Sequence, residues 1–205
     1  MTNNEPVMLR NSDLTQAAQV CARAFKHAPH IEYFFPNENQ RESDSAALFR
    51  MRIRYGCLRG EVHVTSPNLE GVAVWFPSSQ AQMTMWGQIR AGGIRLQRTA
   101  GSDAVARMTY VGKHNDQLRE LHVPDRYMFL SILASDPEHQ HRGHATRLVQ
   151  GMLSRLDHDG ISCYAETTEK GLLAFYQRLG FKPGGESMVP GTELPVWPLV
   201  RPPSA

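Results

Sequence analysis

Cysteine is scarce in this sequence and follows no pattern. Cys21, Cys57 and Cys163 are widely spaced and odd in number. They offer neither a disulfide framework nor metal-ligand spacing, which points to a reducing, cytoplasmic setting. No charge sign dominates: 22 Lys and Arg face 20 Asp and Glu, for a net charge of +2 with nine histidines held neutral. A basic stripe for nucleic acid is therefore missing. No apolar run approaches the ~20 residues that a membrane span needs. The opening Met-Thr-Asn-Asn-Glu-Pro lacks the basic-then-apolar order of a secretory signal. There is no internal repeat and no low-complexity tract. What is present is ordinary globular composition, 41% hydrophobic and 20% charged over 205 residues, suited to a single domain spanning 1–205.

The most informative stretch is residues 129–146, Phe-Leu-Ser-Ile-Leu-Ala-Ser-Asp-Pro-Glu-His-Gln-His-Arg-Gly-His-Ala-Thr. The apolar run from Tyr127 to Ala134 predicts a buried strand, and Asp136-Pro137 ends it because proline cannot continue a ladder. Gln140, Gly143 and Ala145 follow at the spacing Q-x-x-G-x-A. Ala145, Leu148, Val149, Met152, Leu153 and Leu156 then recur at helical period, until Gly160 stops the helix. A strand, a small-residue turn and a helix start make an anion site. The first-turn N–H groups lack intrahelical partners, and the helix dipole adds positive character there. Arg142 and Thr146 add a charge and a hydroxyl. The turn is neither a P-loop nor a dinucleotide fingerprint, since neither G-x-x-x-x-G-K-[ST] nor G-x-G-x-x-G occurs.

Q-x-x-G-x-A after a strand ending Leu-Ala-Ser-Asp-Pro resembles motif A of the GNAT superfamily, the Gcn5-related N-acetyltransferases. Ile161 to Thr167 reads as a second strand. Phe175-Tyr-Gln-Arg-Leu-Gly-Phe181 is similar to the family's following motif, L-Y-x-x-L-G-F, in matching order and spacing. The resemblance covers residues 126–182. It is looser over 7–78, leans toward puromycin-type acetyltransferases over 20–78, and is almost absent over 80–123. It implies an α/β fold, with a mixed twisted central sheet, a V-shaped split and helices on both faces. It also implies acetyl-CoA as co-substrate, no metal, and direct transfer of the acetyl group to a primary amine of a small-molecule acceptor. A homodimer stays open.

By the same resemblance, Leu133, Ala134 and Ser135 present backbone groups to the cofactor. Gln140, His141, Arg142, Gly143, His144, Ala145 and Thr146 hold its pyrophosphate. Tyr176 corresponds to the tyrosine near the cofactor sulfur, and a phenol can protonate a leaving thiolate. Glu166, at the end of the second strand, is the candidate base for the acceptor amine, with His122 a weaker one. Tyr33, Phe34 and Phe35 could wall the acceptor site or simply pack as core; Trp75 joins Tyr33 and Phe34 as a substrate-binding candidate. The sequence departs from the family at Glu169, where many members have asparagine, at Ser135, where valine is more usual, and at His141, often glycine. Glu169 and Ser135 leave room for a second reading, a non-catalytic acyl-CoA-binding regulatory module with the same fold. His139, His141 and His144 could in principle meet at a metal, but no cysteine or carboxylate completes a regular site.

Elsewhere the pattern predicts a short strand at Val7–Arg10, then an Asp13-x-x-Gln16 capping box. A helix face follows on Leu14, Ala17, Ala18, Cys21 and Phe25. A structured loop is expected from His27 to Pro36 and a helix over 41–58. Glu61–Thr65 and Val72–Phe76 suit a hairpin. Residues 80–123 form an insertion, broken at Gly92-Gly93, with a helix from Asp103 to about His122; it either caps the acceptor pocket or adds core. Pro183-Gly-Gly185 reads as a turn, followed by strands at 186–189 and 194–200. Pro195 and Pro198 argue that the last strand is irregular or at an edge, and residues 201–205 read as a frayed end.

Overall fold

The computed structural model describes residues 5–124 and 126–204. Met1 to Asn4, on which the reading of the N-terminus mainly rests, lie outside the described residues, as do Asp125 and Ala205. In chain order the elements are β1 (Val7–Met8), α1 (Leu14–Ala24), α2 (Pro29–Phe34), α3 (Glu38–Arg59), β2 (Glu61–Val64) and β3 (Gly71–Pro77). Then come α4 (Met85–Ala91), α5 (Gly93–His122), β4 (Tyr127–Ser135), α6 (His144–His158) and β5 (Ser162–Thr167). The chain finishes with α7 (Leu173–Arg178), β6 (Lys182–Pro183), β7 (Ser187–Met188) and β8 (Pro195–Arg201).

The strands build one mixed sheet in the order β1-β2-β3-β4-β5-β8-β6, with β7 also on β8. β4 and β5 run parallel and the other pairs are antiparallel. Helices cover both faces, as expected. On β3 the alternation is plain. Val72, Val74 and Phe76 point into a core shared with α1, α3 and α5. Ala73 and Trp75 point into a second core under α6 and α7, with Leu148, Val149, Met152 and Leu156. A strand buried on both faces must be apolar at every position, and β3 is.

Two irregularities open the sheet. The β4–β5 ladder holds only four residue pairs, Tyr127↔Ser162 to Leu130↔Ala165, while β4 continues to Ser135. On its other edge β4 pairs with β3 throughout, but the register shifts: Val74 faces Ile132 and Trp75 faces Leu130. Ser131 is the extra residue. A bulge bends its strand and increases local twist, and here it sits where β4 leaves β5.

Several local expectations need correction. Asp13 caps nothing: its φ and ψ are helical, and its carboxylate accepts from Arg10 Nε at 2.7 Å and from Ser12 Oγ at 2.8 Å. Residues 27–36 are not simply a loop. Pro29 starts the short helix α2 at its first position, where no N–H is needed. Lys182–Pro183 is a strand rather than part of a turn. β8 is not an edge, since β5 lies on one side and β6 on the other; Pro198 sits opposite Glu166 and its carbonyl accepts from Gly184 N at 2.8 Å. Residues 201–204 are not frayed. Arg201 is buried and forks onto Asp157 at 2.6 and 2.7 Å, and Ser204 N donates to the same carboxylate. The insertion is helical on both sides of Gly92, whose positive φ ends α4, and α5 is broken by a non-helical Gly101.

Candidate active site at the sheet opening

Past Leu130 and Ala165 the two parallel strands no longer pair, and a cavity of about 180 Å³ fills the gap. Ser131, Ile132 and Leu133 of β4 form one wall. Glu166 to Glu169, with Tyr176 of α7, form another. The roof comes from the first half of the chain and the insertion: His30 and Phe34 of α2, Arg52 of α3, and Met108, Val111 and Asn115 of α5. The insertion does reach the cavity.

Glu166 is held by α5. Asn115 Nδ2 donates to its Oε2 at 2.8 Å, and Arg119 Nη1 approaches Oε1 at 3.4 Å. Arg119 itself is buried, ion-paired to Asp116 and stacked over Phe129 at 4.8 Å. Burial pushes the Glu166 carboxyl up to about 7, against the pull of Arg119 and the more distant Arg52. A carboxyl that changes charge near neutrality suits a proton acceptor working at that pH.

Tyr176 is buried between Phe175 and Phe181, edge-on to each with ring centroids 5.3 and 5.4 Å away. Burial, with Cys163 and Glu169 nearby, pushes its phenol above the ordinary value. It keeps its proton and can donate it. Gly180, in the left-handed region, ends the turn so that Phe181 folds back onto the tyrosine.

The turn after β4 is tied down from behind. Asp136 is buried, ion-paired to Arg23 of α1, and its Oδ1 accepts from Glu138 N at 3.2 Å. Arg23 and this backbone donor hold its carboxyl below the usual range despite burial. Gly143 then adopts φ 79° and stands before α6 with no side-chain cap, so the first-turn amides stay available. A Cβ at Gly143 would meet nothing within 4 Å; the conformation, not the space, calls for glycine there. His141 also has a positive φ, 60°. This is the position where the family often has glycine, so the histidine holds a backbone shape that suits glycine better. Arg142 is exposed, and Ala145 and Thr146 are half-buried on the first turn of α6. Rings of His139 and His144 lie 6.2 Å apart, edge to face. Among the described residues no three metal-ligating side chains gather.

Glu166, Tyr176, Leu133 and Phe34 therefore share one cavity. Ala134 and Ser135 lie farther along β4, opposite Val72 and Gly71, beyond the lining. Tyr33 packs against the core outside the cavity. Trp75 is fully buried in the core under α6 and is not among the residues that line the cavity. Phe35 is core. His122 Nδ1 donates to Leu118 O at 2.7 Å, and the ring packs under Gly184, away from the cavity. Glu169 lines the cavity.

Four residues that sequence reasoning did not single out contribute here: His30, Arg52, Asn115 and Arg119. His30 Nδ1 shares a 2.9 Å hydrogen bond with Thr168 Oγ1, joining α2 to the end of β5. A signal for the others existed. Leu48, Arg52 and Tyr55 lie at i, i+4 and i+7, so Arg52 interrupts an apolar stripe. Val111, Asn115, Leu118 and Arg119 do the same on α5. Polar groups on a buried helix face need partners.

Residues 100–181 match the model of the acetyltransferase (GNAT) family. The match begins within α5, in a stretch where the motifs alone suggested almost no resemblance. Among solved structures the fold is similar to a histone acetyltransferase HPA2 and related acetyltransferase from Corynebacterium glutamicum, at 20% identity, with 98% of this chain and 97% of that chain covered and a TM-score of 0.71. It is also similar to the C-terminal condensation domain of Ebony in complex with beta-alanyl-dopamine (10% identity, 97% and 98% covered, TM-score 0.67). A third likeness is to arylalkylamine N-acetyltransferase 2 from Aedes aegypti (11% identity, 99% and 100% covered, TM-score 0.59). At these identities the structural likeness is one of fold.

Proposed function

We propose, from the match of residues 100–181 to the acetyltransferase (GNAT) family and from the shared fold, that the chain is a GNAT acetyltransferase and moves the acetyl group of acetyl-CoA to a primary amine of a small-molecule acceptor by direct attack, with no covalent enzyme intermediate. The observation that carries the reading is the convergence of a near-neutral carboxyl, Glu166, and a protonated phenol, Tyr176, on one cavity where β4 parts from β5.

Acetyl-CoA, when bound, supplies the activated thioester carbonyl. The uncapped start of α6, with Gly143 in the left-handed region, fits its pyrophosphate. The β4 edge beyond Leu130, free of β5, offers backbone groups to the pantetheine arm and to the carbonyl oxygen. A preorganised donor at such an oxygen is worth about 3–4 kcal/mol in comparable sites. Glu166 accepts the proton of the acceptor amine, directly or through water, and Tyr176 donates one to the departing thiolate. Holding both partners in one cavity supplies much of the remaining acceleration.

A cavity of about 180 Å³ suits a small acceptor. The names of two structural neighbours, an arylalkylamine N-acetyltransferase and a beta-alanyl-dopamine complex, favour one with an aromatic body. Phe25, Phe34 and Phe49 on the cavity wall suit such a body. The same proposal takes the whole chain as one domain with a helical insertion. It also keeps the cytoplasmic setting, supported by three free cysteines.

Titration calorimetry with acetyl-CoA, CoA and dephospho-CoA, followed by a thiol-release screen over small amines, tests the reading. Acetyl-CoA binding with CoA release from some amines is expected. Binding with no release from any amine would favour the acyl-CoA-binding module instead. No binding at all would remove the assignment of the 140–146 turn.

A further inference from the structure

We propose that the acceptor carries a carboxylate as well as its amine, and that Arg52 binds that carboxylate. The inference rests on acetyl transfer at this cavity and names the class of acceptor.

Arg52 is half-buried on α3 and is the one arginine or lysine among the described residues lining the cavity. Nearby cations have protein partners. Arg119 is committed to Asp116 and Glu166, Arg107 to the Phe34 carbonyl, and Arg41 to Glu32 and the Phe35 carbonyl. Arg52 makes no hydrogen bond or ion pair to a described residue; Glu166 and Asp116 act on it only at longer range. A cation taken partly out of water without a directly paired counter-charge is costly. An anion arriving with the acceptor would offset that cost and find a planar guanidinium with free donors.

The rest of the cavity sets the anion and the body. His30 stands beside Arg52, and burial together with that guanidinium holds its imidazole down to about 4, so it is neutral and adds no second positive charge. Glu166 and Glu169 line the same cavity. With a single cation and two carboxyls in the lining, a monoanion such as a carboxylate meets less repulsion than a phosphate dianion would. The amine end belongs toward Glu166. Phe25 and Phe49 stack with centroids 5.3 Å apart on the apolar wall, where an aromatic or large aliphatic side chain would lie. The matching acceptor is an amino acid with such a side chain, in preference to the amine left after its decarboxylation.

The test uses matched pairs, phenylalanine against phenethylamine and tryptophan against tryptamine, with CoA release as the readout. Phosphoethanolamine serves as a phosphate-bearing control. The wild-type protein should favour the amino acid of each pair by at least tenfold in kcat/KM. Arg52→Gln should bring that ratio toward one, chiefly through KM for the amino acid, and Arg52→Lys should retain part of it. A measurement on unaltered protein runs alongside: in the presence of CoA, N-acetylphenylalanine should raise the melting temperature more than N-acetylphenethylamine. Equal or better turnover of the decarboxylated amines, a ratio unmoved in Arg52→Gln, or a preference for phosphoethanolamine would overturn the inference while leaving acetyl transfer standing. CoA release with no amine of either kind, despite acetyl-CoA binding, would overturn the transfer reading first and this inference with it.

Discussion

Asn115 donates its side-chain amide to Glu166 Oε2 at 2.8 Å. This bond joins a helix of the insertion to the end of a central strand, across 51 positions of sequence. It makes α5 part of the site. Removing the donor withdraws support from the ionised carboxylate, so Asn115→Ala should raise the Glu166 pKa further. The acid limb of the rate profile should then move to higher pH, and kcat at pH 7 should fall more than KM changes. An acid limb that stays in place would mean that Asn115 does not tune the carboxylate.

Glu166 itself should impose a simple pH dependence. Its carboxyl is raised to about 7, and the base form is the ionised one. Activity should therefore be low in mild acid and rise through about pH 7 with unit slope. Glu166→Gln should remove that rise and lower kcat/KM by about 100-fold or more, the lower end of general-base contributions. Calorimetric affinity for acetyl-CoA should hold, because Glu166 faces the acceptor side of the cavity. A variant with the wild-type profile would exclude Glu166 as the base.

Tyr176→Phe keeps the ring that packs between Phe175 and Phe181 and deletes only the hydroxyl. Turnover should drop by about tenfold to 100-fold, as for loss of a positioned proton donor, with little change in acetyl-CoA affinity. Stopped-flow measurement of CoA release would separate the two. Unchanged turnover would leave the thiolate to water or solvent acid.

The two left-handed positions in the turn should respond in opposite directions. Gly143→Val forces a β-branched residue to φ 79° and should weaken acetyl-CoA binding by about tenfold, from backbone strain of about 1–2 kcal/mol. His141→Gly relaxes a non-glycine residue at φ 60° and should stabilise the turn by about 1 kcal/mol. Calorimetry and melting curves on both variants check the pair. Equal effects would mean that side-chain contacts, not backbone shape, govern the turn.

Arg201 anchors the last strand to the end of α6. Arg201→Met removes the fork onto Asp157 and the 2.9 Å bond to the Leu179 carbonyl. A loss of about 1–2 kcal/mol is expected, read as a melting temperature lower by about 2–8 °C for a chain of this size. Asp157 is partly solvated, which limits the share owed to the ion pair. The guanidinium and the Ser204 amide hold the Asp157 carboxyl down to about 2. Its stabilisation is thus complete above the ordinary aspartate value and disappears as pH falls from about 4 toward 2. The gap between variant and parent should shrink over that window.

What could be read from the residues depended on how locally each feature is encoded. The turn at 140–146 is legible because it needs consecutive residues: a strand, a proline stop, glycine at one fixed position, then a helical stripe. The β2–β3 hairpin and the α6 face follow from period alone. The acceptor wall does not, since His30, Arg52 and Asn115 come from separate helices and meet only through tertiary packing. Trp75 shows a different limit: alternation says that it faces opposite to Val74, but only the assembled sheet shows its ring enclosed in the core under α6, outside the cavity lining. The sheet opening itself depends on a register slip at Ser131, which no single-strand pattern reveals.

The way the site is assembled has a consequence for how this protein could change over time. On the proposed reading, the donor and acceptor surfaces come from different stretches of chain: the turn and α6 for the donor, α2, α3 and the middle of α5 for the acceptor. If that reading holds, substitutions at positions such as 34, 52 or 108 should redraw what is acetylated without disturbing what supplies the acetyl group. Choice of acceptor would then be open to drift and to redesign while the 140–146 turn stays fixed.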